Sequence, residues 1–263
     1  MSYEVIVVDN GSRDGSAEMV RTRFPGARLI ANDDNRGFGR AQNQALKTFA
    51  GRYLLMLNPD ARMAGTDCLA RLISFADSEP KTGIIGIRIL NPDGSLQFSA
   101  RHFPTLGAGL FRNTFLGRLF PKNRFVRQYL MADWNHDEVR DVDWVSGAAM
   151  AVRREALEDI GLLDEAFFMY CEDVDICYRA HQKGWRVCYF PQSVVTHRIG
   201  AASDMAQIRM FYEFHRSMRL FFYKHYASEW PFYLRLVVTL GFAARAGVFI
   251  GIYLIRRARA ALR

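Results

Sequence analysis

Carboxylates occur at two places in this chain where they could take part in chemistry. Residues 170–175 read Tyr-Cys-Glu-Asp-Val-Asp, so three acidic side chains stand where a helical pattern begins. Asp60 lies far upstream, in an Asn-Pro-Asp turn that follows an apolar strand pattern. A hard oxygen ligand such as Asp60 suits Mg²⁺ or Mn²⁺, and a carboxylate beside an acceptor hydroxyl can remove its proton. The two groups together favour metal-assisted group transfer, with Asp173 as the proton acceptor.

The strength of Asp173 as a base depends on two opposing effects. The positive end of a helix dipole lowers the pKa of a carboxylate, whereas the adjacent Glu172 and the nearby Asp175 raise it. The sequence alone leaves this balance open. Asp175 and Arg179 stand four residues apart in the favourable order, so a structural salt bridge is their default interpretation.

Three strand patterns in the first 60 residues must position these groups. Short apolar runs cover residues 4–8, 28–31 and 53–57, and helical patterns cover residues 14–23 and 40–49. Each strand pattern ends in acidic or amide residues, at the edge where open α/β sheets bind ligands. The alternation predicts an α/β fold with a doubly wound, mostly parallel sheet.

The pattern changes after residue 83. Residues 84–90 and 96–101 predict a β-hairpin or an extended excursion around an Asn-Pro-Asp-Gly turn. Residues 103–141 show no clean periodicity, so we expect a mobile or substrate-facing segment. A helix is predicted over residues 172–183, with Gly184 as its C-terminal cap.

Composition and charge indicate one catalytic unit with a basic tail. The chain has 263 residues, of which 50% are hydrophobic, enough for one sizeable core. The net charge is +8, and no acidic residue follows Glu229. The excess positive charge there predicts an anionic membrane surface as partner. Nucleic acid is disfavoured, because zinc-finger spacing and RNA-recognition signatures are missing.

The tail itself contains an unusual apolar stretch. Residues 237–255 form a 19-residue run whose only charge is Arg245, and about 20 residues are needed to cross a bilayer. A charge near the middle of a membrane span is costly. Four interpretations stay open: a span, a helix in the membrane interface, a re-entrant pair around Gly241 and Gly247, or a helix packed on the protein or in an oligomer.

The cysteines predict a reducing compartment. Cys68, Cys171, Cys177 and Cys188 show no paired spacing, and the N-terminus does not resemble a signal peptide, so we expect a cytoplasmic protein. Buried apolar cysteines are the favoured interpretation. A zinc site formed by Cys171, Cys177, His181 and Cys188 is the less favoured one.

Motifs spread in order from about residue 3 to residue 226 resemble glycosyltransferase family 2. Within that family they are most similar to bacterial rhamnosyltransferase-like members. Each motif is weak alone, and the combination is specific. They are Asp9-Asn10-Gly11-Ser12, Asn35-Arg36-Gly37-Phe38-Gly39, Leu57-Asn58-Pro59-Asp60, Trp144-Val145-Ser146-Gly147-Ala148, Phe167-Phe168-Met169-Tyr170-Cys171-Glu172-Asp173 and His197. The resemblance implies a GT-A fold, a nucleotide-sugar donor, a divalent metal and an inverting single displacement.

The resemblance also implies roles for residues at the donor. Asp9 would contact the nucleoside, and Asn35, Gly37 and Asn58 would complete the nucleotide-sugar site. Asp60 would bind the metal that holds the diphosphate. Plainer interpretations exist, since Asp9 could only close a turn and the Asn35 segment could be an ordinary loop.

For the transfer itself, the resemblance implies that Asp173 is the base and that Glu172 places the acceptor. His197 would add a second metal ligand. Trp144 and Gly147 would border the pocket for sugar and acceptor, although Trp144 could equally be a core residue.

Two departures from the family pattern stand out. The family opens with a further apolar strand that ends in a Thr-Tyr-Asn-like turn, and this chain begins at what should be the second strand. We therefore expect either a start codon placed too late or a truncated gene. The second departure is Asn58, where many relatives carry Asp.

The leading hypothesis is an inverting glycosyltransferase of cell-envelope assembly at the inner face of the membrane. It would move a sugar, rhamnose by resemblance, from a dTDP- or UDP-sugar to a lipid-linked or polysaccharide acceptor. Residues 1–226 would form the catalytic domain and residues 227–263 the helical tail. The alternative is an inactive fragment that assists a complete transferase. A nucleotidyltransferase is weaker, because a Gly-rich, Lys-bearing phosphate loop is missing.

Overall fold

The computed structural model describes residues 2–112, 114–198 and 207–261. The fold begins with two strand-helix units: β1 (Ile6–Asn10), α1 (Ser16–Arg23), β2 (Arg28–Asn32) and α2 (Phe38–Leu46). The two strands pair in parallel, with Ile6 opposite Arg28 and Asn10 opposite Asn32. Both strands therefore end at the same edge, as the sequence predicted.

A larger sheet forms the centre of the molecule. Among the described residues it has seven strands: β3 (Tyr53–Leu57), β4 (Ala61–Ala64), β5 (Thr82–Leu90), β6 (Leu96–Gln97), β8 (Arg140–Asp141), β10 (Ala149–Arg153) and β11 (Arg186–His197). Their main order is β3-β10-β5-β11-β4, with β6 beside β5 and β8 beside β11. Separately, β7 (Ala100–Arg101) pairs antiparallel with β9 (Trp144–Val145).

The predicted α/β class is confirmed, and the sheet is mixed. Strands β3, β5 and β11 share one direction, since β3 and β5 are both antiparallel to β10 and β11 is parallel to β5. The inserted β10 runs the other way. A strand's direction depends on its distant partners, so a local apolar pattern does not reveal it.

Helices cover both faces of this sheet and extend beyond it. They are α3 (Cys68–Ser78), α4 (Leu106–Phe111), α5 (Phe115–Leu119), α6 (Arg124–Tyr129), α7 (Arg154–Ile160), α8 (Glu172–Gln182), α9 (Gln207–His225) and α10 (Phe232–Ala261). The predicted helix at 172–183 is confirmed as α8, and Gly184 follows it with φ +80°. The predicted hairpin is confirmed for β5 and β6, but Ala100–Arg101 leave it to pair with β9.

The segment without clean periodicity, residues 103–141, contains three short helices in its described part. Thr105, Thr114 and Asn123 cap α4, α5 and α6, each accepting a backbone N–H with its side chain. The sequence did not reveal these helices because helices of five or six residues are too short to display a 3.6-residue period, and the expected mobile or substrate-facing role stays a prediction. Their caps were the only local signal.

The core lies on both faces of the sheet. On one face Ile84, Met150 and Tyr189 pack against Ile176 of α8 and Phe221 of α9. On the other face Leu72 and Ala76 of α3 pack against Ile85, Ile87 and Phe190. The cysteines Cys68, Cys171, Cys177 and Cys188 are all free and buried, as favoured. The described ranges contain no group of three His, Cys, Asp or Glu side chains that could hold a metal ion, so the zinc alternative has no support.

The pair β1 and β2 stands apart from the central sheet. Within the described part of the chain, neither strand shares a backbone ladder with β3. Ile6 packs against the core, and Glu4 accepts the backbone N–H of Ala50. The strand expected from the family pattern stays a prediction.

The tail forms one long helix. Helix α10 has 30 residues and runs without a break through Gly241 and Gly247, so the re-entrant pair is not present. Its Phe232–Ile255 stretch has a mean hydropathy of 1.8 and is long and apolar enough to cross a membrane. A short 3-10 turn at Ala227–Glu229 precedes it, and α10 folds back along α9.

Candidate active site

The two predicted metal ligands, Asp60 and His197, lie side by side. Asp60 ends the turn after β3, and His197 is the last residue of β11, which pairs there with Ala61. The Asp60 Oδ1 atom is 3.2 Å from His197 Nε2. The side-chain nitrogen of Asn58 lies 3.5 Å from the same His197 atom. The fold thus brings together two groups that are 137 positions apart in the numbering.

Gln97 fixes the tautomer of His197, a role that the sequence did not reveal. The amide nitrogen of Gln97 donates to two carbonyl oxygens, Asn91 Oδ1 at 2.8 Å and His197 O at 2.6 Å. Its Oε1 must then accept from His197 Nδ1, 3.1 Å away. Because Nδ1 carries the proton, the neutral imidazole presents the lone pair of Nε2 to Asp60.

This arrangement fits a divalent cation. Asp60 Oδ1 is buried and receives no hydrogen bond from any residue that the structure describes. When the imidazole is neutral, this oxygen faces the Nε2 lone pair, so two electron-rich atoms stand opposite each other and a cation between them would satisfy both. Mg²⁺ and Mn²⁺ take such carboxylate ligands, and Mg²⁺ is commonly held by one or two protein groups together with substrate phosphates.

Asp173 opens α8 and is held by backbone donors on both oxygens. The N–H of Gly147 donates to Oδ2 at 3.0 Å, and the N–H of Val174 donates to Oδ1 at 2.9 Å. A methyl group on Gly147 would lie 3.4 Å from Asp173 Cβ, in ordinary van der Waals contact. Gly147 therefore orients Asp173, in addition to any contact that it makes with substrate.

Burial decides whether the pKa of Asp173 is raised or lowered, which the sequence left open. Burial raises the pKa of Asp173, against the two backbone hydrogen bonds and the charge of Arg101, which lower it. Burial also raises the pKa of Glu172 well above its usual value, and the charge of Asp173 adds to this. A raised pKa strengthens a carboxylate as a base. In the described structure, Glu172 Oε2 has no hydrogen-bond partner.

A strained turn precedes these carboxylates. Tyr170 and Cys171 have φ values of 69° and 68°, in the left-handed region that side chains other than glycine rarely adopt. Helix α9 holds the turn: Ser217 Oγ donates to Met169 O at 2.8 Å, and Met218 Sδ lies 3.6 Å from Cys171 Sγ. The contribution of α9 to the site was missed, because no local pattern links residue 217 to residue 169.

The loop after β2 is also shaped by its backbone. Gly37 has φ +89°, and a methyl group there would come within 2.6 Å of Phe168 O, so only glycine fits. Asn35 Oδ1 accepts the N–H of Gly37 at 3.0 Å and the side-chain N–H of Asn10 at 3.0 Å. The loop expected to form the nucleotide pocket is therefore preordered.

Asn10 also holds this loop, a role that the sequence did not reveal. Its Oδ1 accepts the backbone N–H of Arg36 at 3.1 Å, so it joins the end of β1 to the Gly37 loop. Asp9, the predicted nucleoside contact, accepts the backbone N–H of Ser12 at 3.1 Å. Asp9 thus closes the turn, and its contact with a nucleoside stays a prediction.

Residues 146–148 connect the separate parts of the site. The N–H of Asn58 donates to Ala148 O at 3.0 Å, while the neighbouring Gly147 donates to Asp173. A methyl group on Gly147 would lie 3.9 Å from the ring of Phe38, next to Gly37. The turn that carries Asp60, the start of α8 and the Gly37 loop therefore meet around one short segment.

Trp144 occupies a different environment from the one expected. It is 5% exposed, its Nε1 donates to His102 O at 2.8 Å, and the Arg101 guanidinium lies 4.9 Å from its ring centre. This is the core position named as its alternative. A contact between Trp144 and the sugar stays a prediction.

Asp175 is a structural residue. Its side chain is fully buried, and Arg179 Nε donates to Oδ2 at 2.8 Å, as the spacing predicted. Lys224 and His225 both lie 2.7 Å from Oδ1. Arg179 also donates to Ile160 O and Leu162 O, so this pair fixes the loop after α7.

Comparison with known proteins gives matches over much of the chain. The family model described as Glycosyl transferase family 2 matches residues 1–161. The N-acetylglucosaminyl-diphospho-decaprenol L-rhamnosyltransferase of Mycobacterium tuberculosis is 30% identical over 257 residues, which cover 94% of this chain and 83% of that protein. Rhamnosyltransferase WbbL of Escherichia coli is 29% identical over 198 residues, covering 72% of this chain and 70% of that protein.

A solved structure shares the fold. The mannosyltransferase PcManGT from Pyrobaculum calidifontis, in complex with GDP-Man and Mn²⁺, superposes with a TM-score of 0.53 at 19% sequence identity. The match covers 99% of this chain and 71% of the mannosyltransferase. The GT-A architecture expected from the sequence is thereby confirmed.

Proposed function

This chain belongs to glycosyl transferase family 2, and from that premise we propose that it transfers L-rhamnose from a nucleotide diphospho-sugar to a lipid-linked acceptor in cell-envelope assembly. The names of two relatives support the sugar, and the mycobacterial one supports a polyprenyl diphosphate acceptor. A dTDP- or UDP-sugar is the proposed donor. Residues 1–226 would perform the transfer, and residues 227–263 would hold the protein at the inner face of the membrane.

The donor would bind between the C-terminal ends of β1 and β2 on one side and the turn after β3 on the other. Asn35 and Gly37 would shape the nucleotide pocket, and Asp9 and Asn58 would border it. Asp60 and His197 would hold the divalent cation. When bound, that cation would neutralise the diphosphate and stabilise the charge of the leaving group.

Asp173 would take the proton of the acceptor hydroxyl. As this proton moves to the carboxylate, the hydroxyl oxygen forms a bond to the anomeric carbon and the bond from that carbon to the diphosphate oxygen breaks. Attack from the face opposite the leaving group inverts the anomeric configuration. Glu172, buried beside Asp173, would place the acceptor.

One observation carries this proposal most directly. Asp173 is held by Gly147, and the adjacent Ala148 is bonded to the turn that carries Asp60. A base and a metal ligand joined through one short segment are the minimum that a metal-assisted sugar transfer requires.

Two measurements test the proposal. Calorimetric titration of dTDP and of UDP, with and without Mn²⁺, should show metal-dependent binding that Asp60→Ala abolishes. Turnover of dTDP-L-rhamnose should fall on the order of 10²- to 10⁴-fold in Asp173→Asn, as expected for loss of a general base. Asp159→Asn, which changes a partly exposed carboxylate on α7, is the matched control and should keep full activity.

Two results would reject it. A folded wild-type protein that binds neither nucleotide would favour the inactive-partner hypothesis. Full turnover in Asp173→Asn would remove the proposed base.

A further inference from the structure

A large apolar groove runs along the tail, and the residues proposed above for metal, nucleotide or proton transfer are not among those that line it. Its volume is about 1060 Å³, and its walls come from α9, α10 and the α4–α5 region. The lining is mainly aromatic and aliphatic, including Phe211, Phe221, Phe242, Val248, Phe249 and Ile252. An apolar groove of this size on a soluble surface would be unfavourable without an occupant.

Three arginines without acidic partners accompany this groove. Arg245 lines it and donates from Nη2 to Arg112 O at 2.8 Å, while its Nε is buried without a partner in the described structure. Arg112 donates to the hydroxyl of Tyr129 at 3.0 Å, and Arg101 lies 5.8 Å from the same ring. Within the described ranges, none of these three arginines forms a salt bridge.

Their surroundings favour an anion. Burial lowers the pKa of Arg112, and the charge of Arg101 lowers it further. Half-buried guanidinium groups that repel one another are stabilised by a shared anion, and their planar donors suit phosphate oxygens. The position of Arg245 in an apolar stretch, unexplained from the sequence, has a reason if it neutralises a bound anion.

The groove wall approaches the turn before the proposed base, and one of the arginines is near the base itself. Met218 lines the groove and contacts Cys171, two residues before Asp173. Arg101 is close enough for its charge to lower the pKa of Asp173. An apolar surface, a cationic cluster and a base therefore follow one another in space.

We propose that the groove binds the isoprenoid chain of the acceptor lipid and that Arg101, Arg112 and Arg245 bind its diphosphate. The order of the surfaces matches the order of parts in such a lipid: apolar chain, diphosphate, then the sugar whose hydroxyl reaches Asp173. This inference rests on the proposed function, since it concerns the acceptor of the same site.

Glycine positions on α10 offer matched variants. A side chain at Gly241 enters open space and lines the groove, so Gly241→Phe should fill it without a clash. Gly247 also faces open space but does not line the groove, so Gly247→Phe is the control. Arg245→Met keeps an unbranched chain at the site and removes the charge.

The experiment uses the full chain in nanodiscs of zwitterionic lipid and a benzophenone-bearing farnesyl diphosphate as photoprobe. We expect labelling of peptides from α9 and α10. Geranylgeranyl diphosphate should compete for labelling, whereas geranylgeraniol and inorganic pyrophosphate should compete at least tenfold less well. Labelling should fall at least tenfold in Gly241→Phe and in Arg245→Met, and should be unchanged in Gly247→Phe.

Each contrary result would reject a different part of this inference. Equal competition by geranylgeraniol, or equal loss in Gly247→Phe, would overturn the site, because the groove would then hold bulk lipid. Normal labelling in Arg245→Met would overturn the diphosphate contact. Binding of dTDP with Mn²⁺ is measured on the same samples: if it persists while labelling is absent, only this inference fails, and if wild type lacks it, the proposed function fails.

Discussion

Replacing Gln97 by Leu should weaken metal binding although Gln97 is not a proposed ligand. In the wild type, Gln97 Oε1 accepts from His197 Nδ1, so the Nε2 lone pair faces Asp60. Without that acceptor the proton can move to Nε2 and form a hydrogen bond to Asp60 Oδ1 across 3.2 Å. A metal would then have to break that bond before it binds.

The magnitude follows from the bond that must be broken. A hydrogen bond to a charged group contributes about 1.5–3 kcal/mol, and each 1.4 kcal/mol is a factor of about ten in affinity. We therefore expect Mn²⁺ affinity to fall about 10- to 100-fold, the range found when residues that orient metal-bound histidines are changed. The loss is smaller than for Asp60→Ala, which removes a ligand.

Electron paramagnetic resonance of Mn²⁺ in the presence of dTDP measures this affinity without turnover. Gln182→Leu, on the exposed surface of α8, is the control for an added apolar side chain. Circular dichroism confirms that each variant is folded. Unchanged Mn²⁺ affinity in folded Gln97→Leu, with affinity lost in Asp60→Ala, would refute the tautomer argument.

Three further predictions concern stability. Gly37→Ala should lower the free energy of unfolding, measured in urea, by more than about 1–3 kcal/mol, because it adds a backbone clash with Phe168 to the strain of a positive φ. Gly94→Ala is the control: Gly94 has φ +83° and open space around it, so this variant should show the strain alone. Glu172→Gln should raise the melting temperature at pH 7 and not at pH 4. The pKa of Glu172 is raised in the folded protein above its unfolded value near 4.5. The wild type therefore keeps its full stability below pH 4.5 and loses stability as pH rises through the folded pKa. Asp175→Asn should cost about 3–5 kcal/mol at pH 7, because buried cations lose their partner. Burial raises the pKa of Asp175, but the hydrogen bond from His225 and the charges of Arg179 and Lys224 outweigh it, so the pKa is lowered overall. This cost should therefore shrink as pH falls from the unfolded pKa near 3.8 through the folded pKa.

Local patterns predicted those parts of the fold that depend on neighbours in sequence. The apolar run at residues 53–57 and the amphipathic run at 172–183 are β3 and α8, because periodicity and turn residues decide such elements. The pairing of Asp60 with His197 followed from the family resemblance rather than from spacing.

The parts that sequence reasoning missed depend on distant contacts. Gln97 reaches His197 only because β6 and β11 both border β5, and Ser217 reaches Met169 only because α9 packs on the turn before α8. The burial that raises the pKa of Asp173 is likewise a product of the whole core. No window of neighbouring residues contains this information.

The strained turn at Tyr170 and Cys171 gives the enzyme a mechanical dependence on its anchor. Left-handed backbone at two such residues costs about 1–3 kcal/mol each, and α9 supplies the contacts that hold it. The same helix α9 also packs on α10, where Phe211 meets Phe249 with ring centres 5.9 Å apart. We therefore expect that detaching α10 from α9 would let the turn relax and slow transfer while nucleotide binding persists.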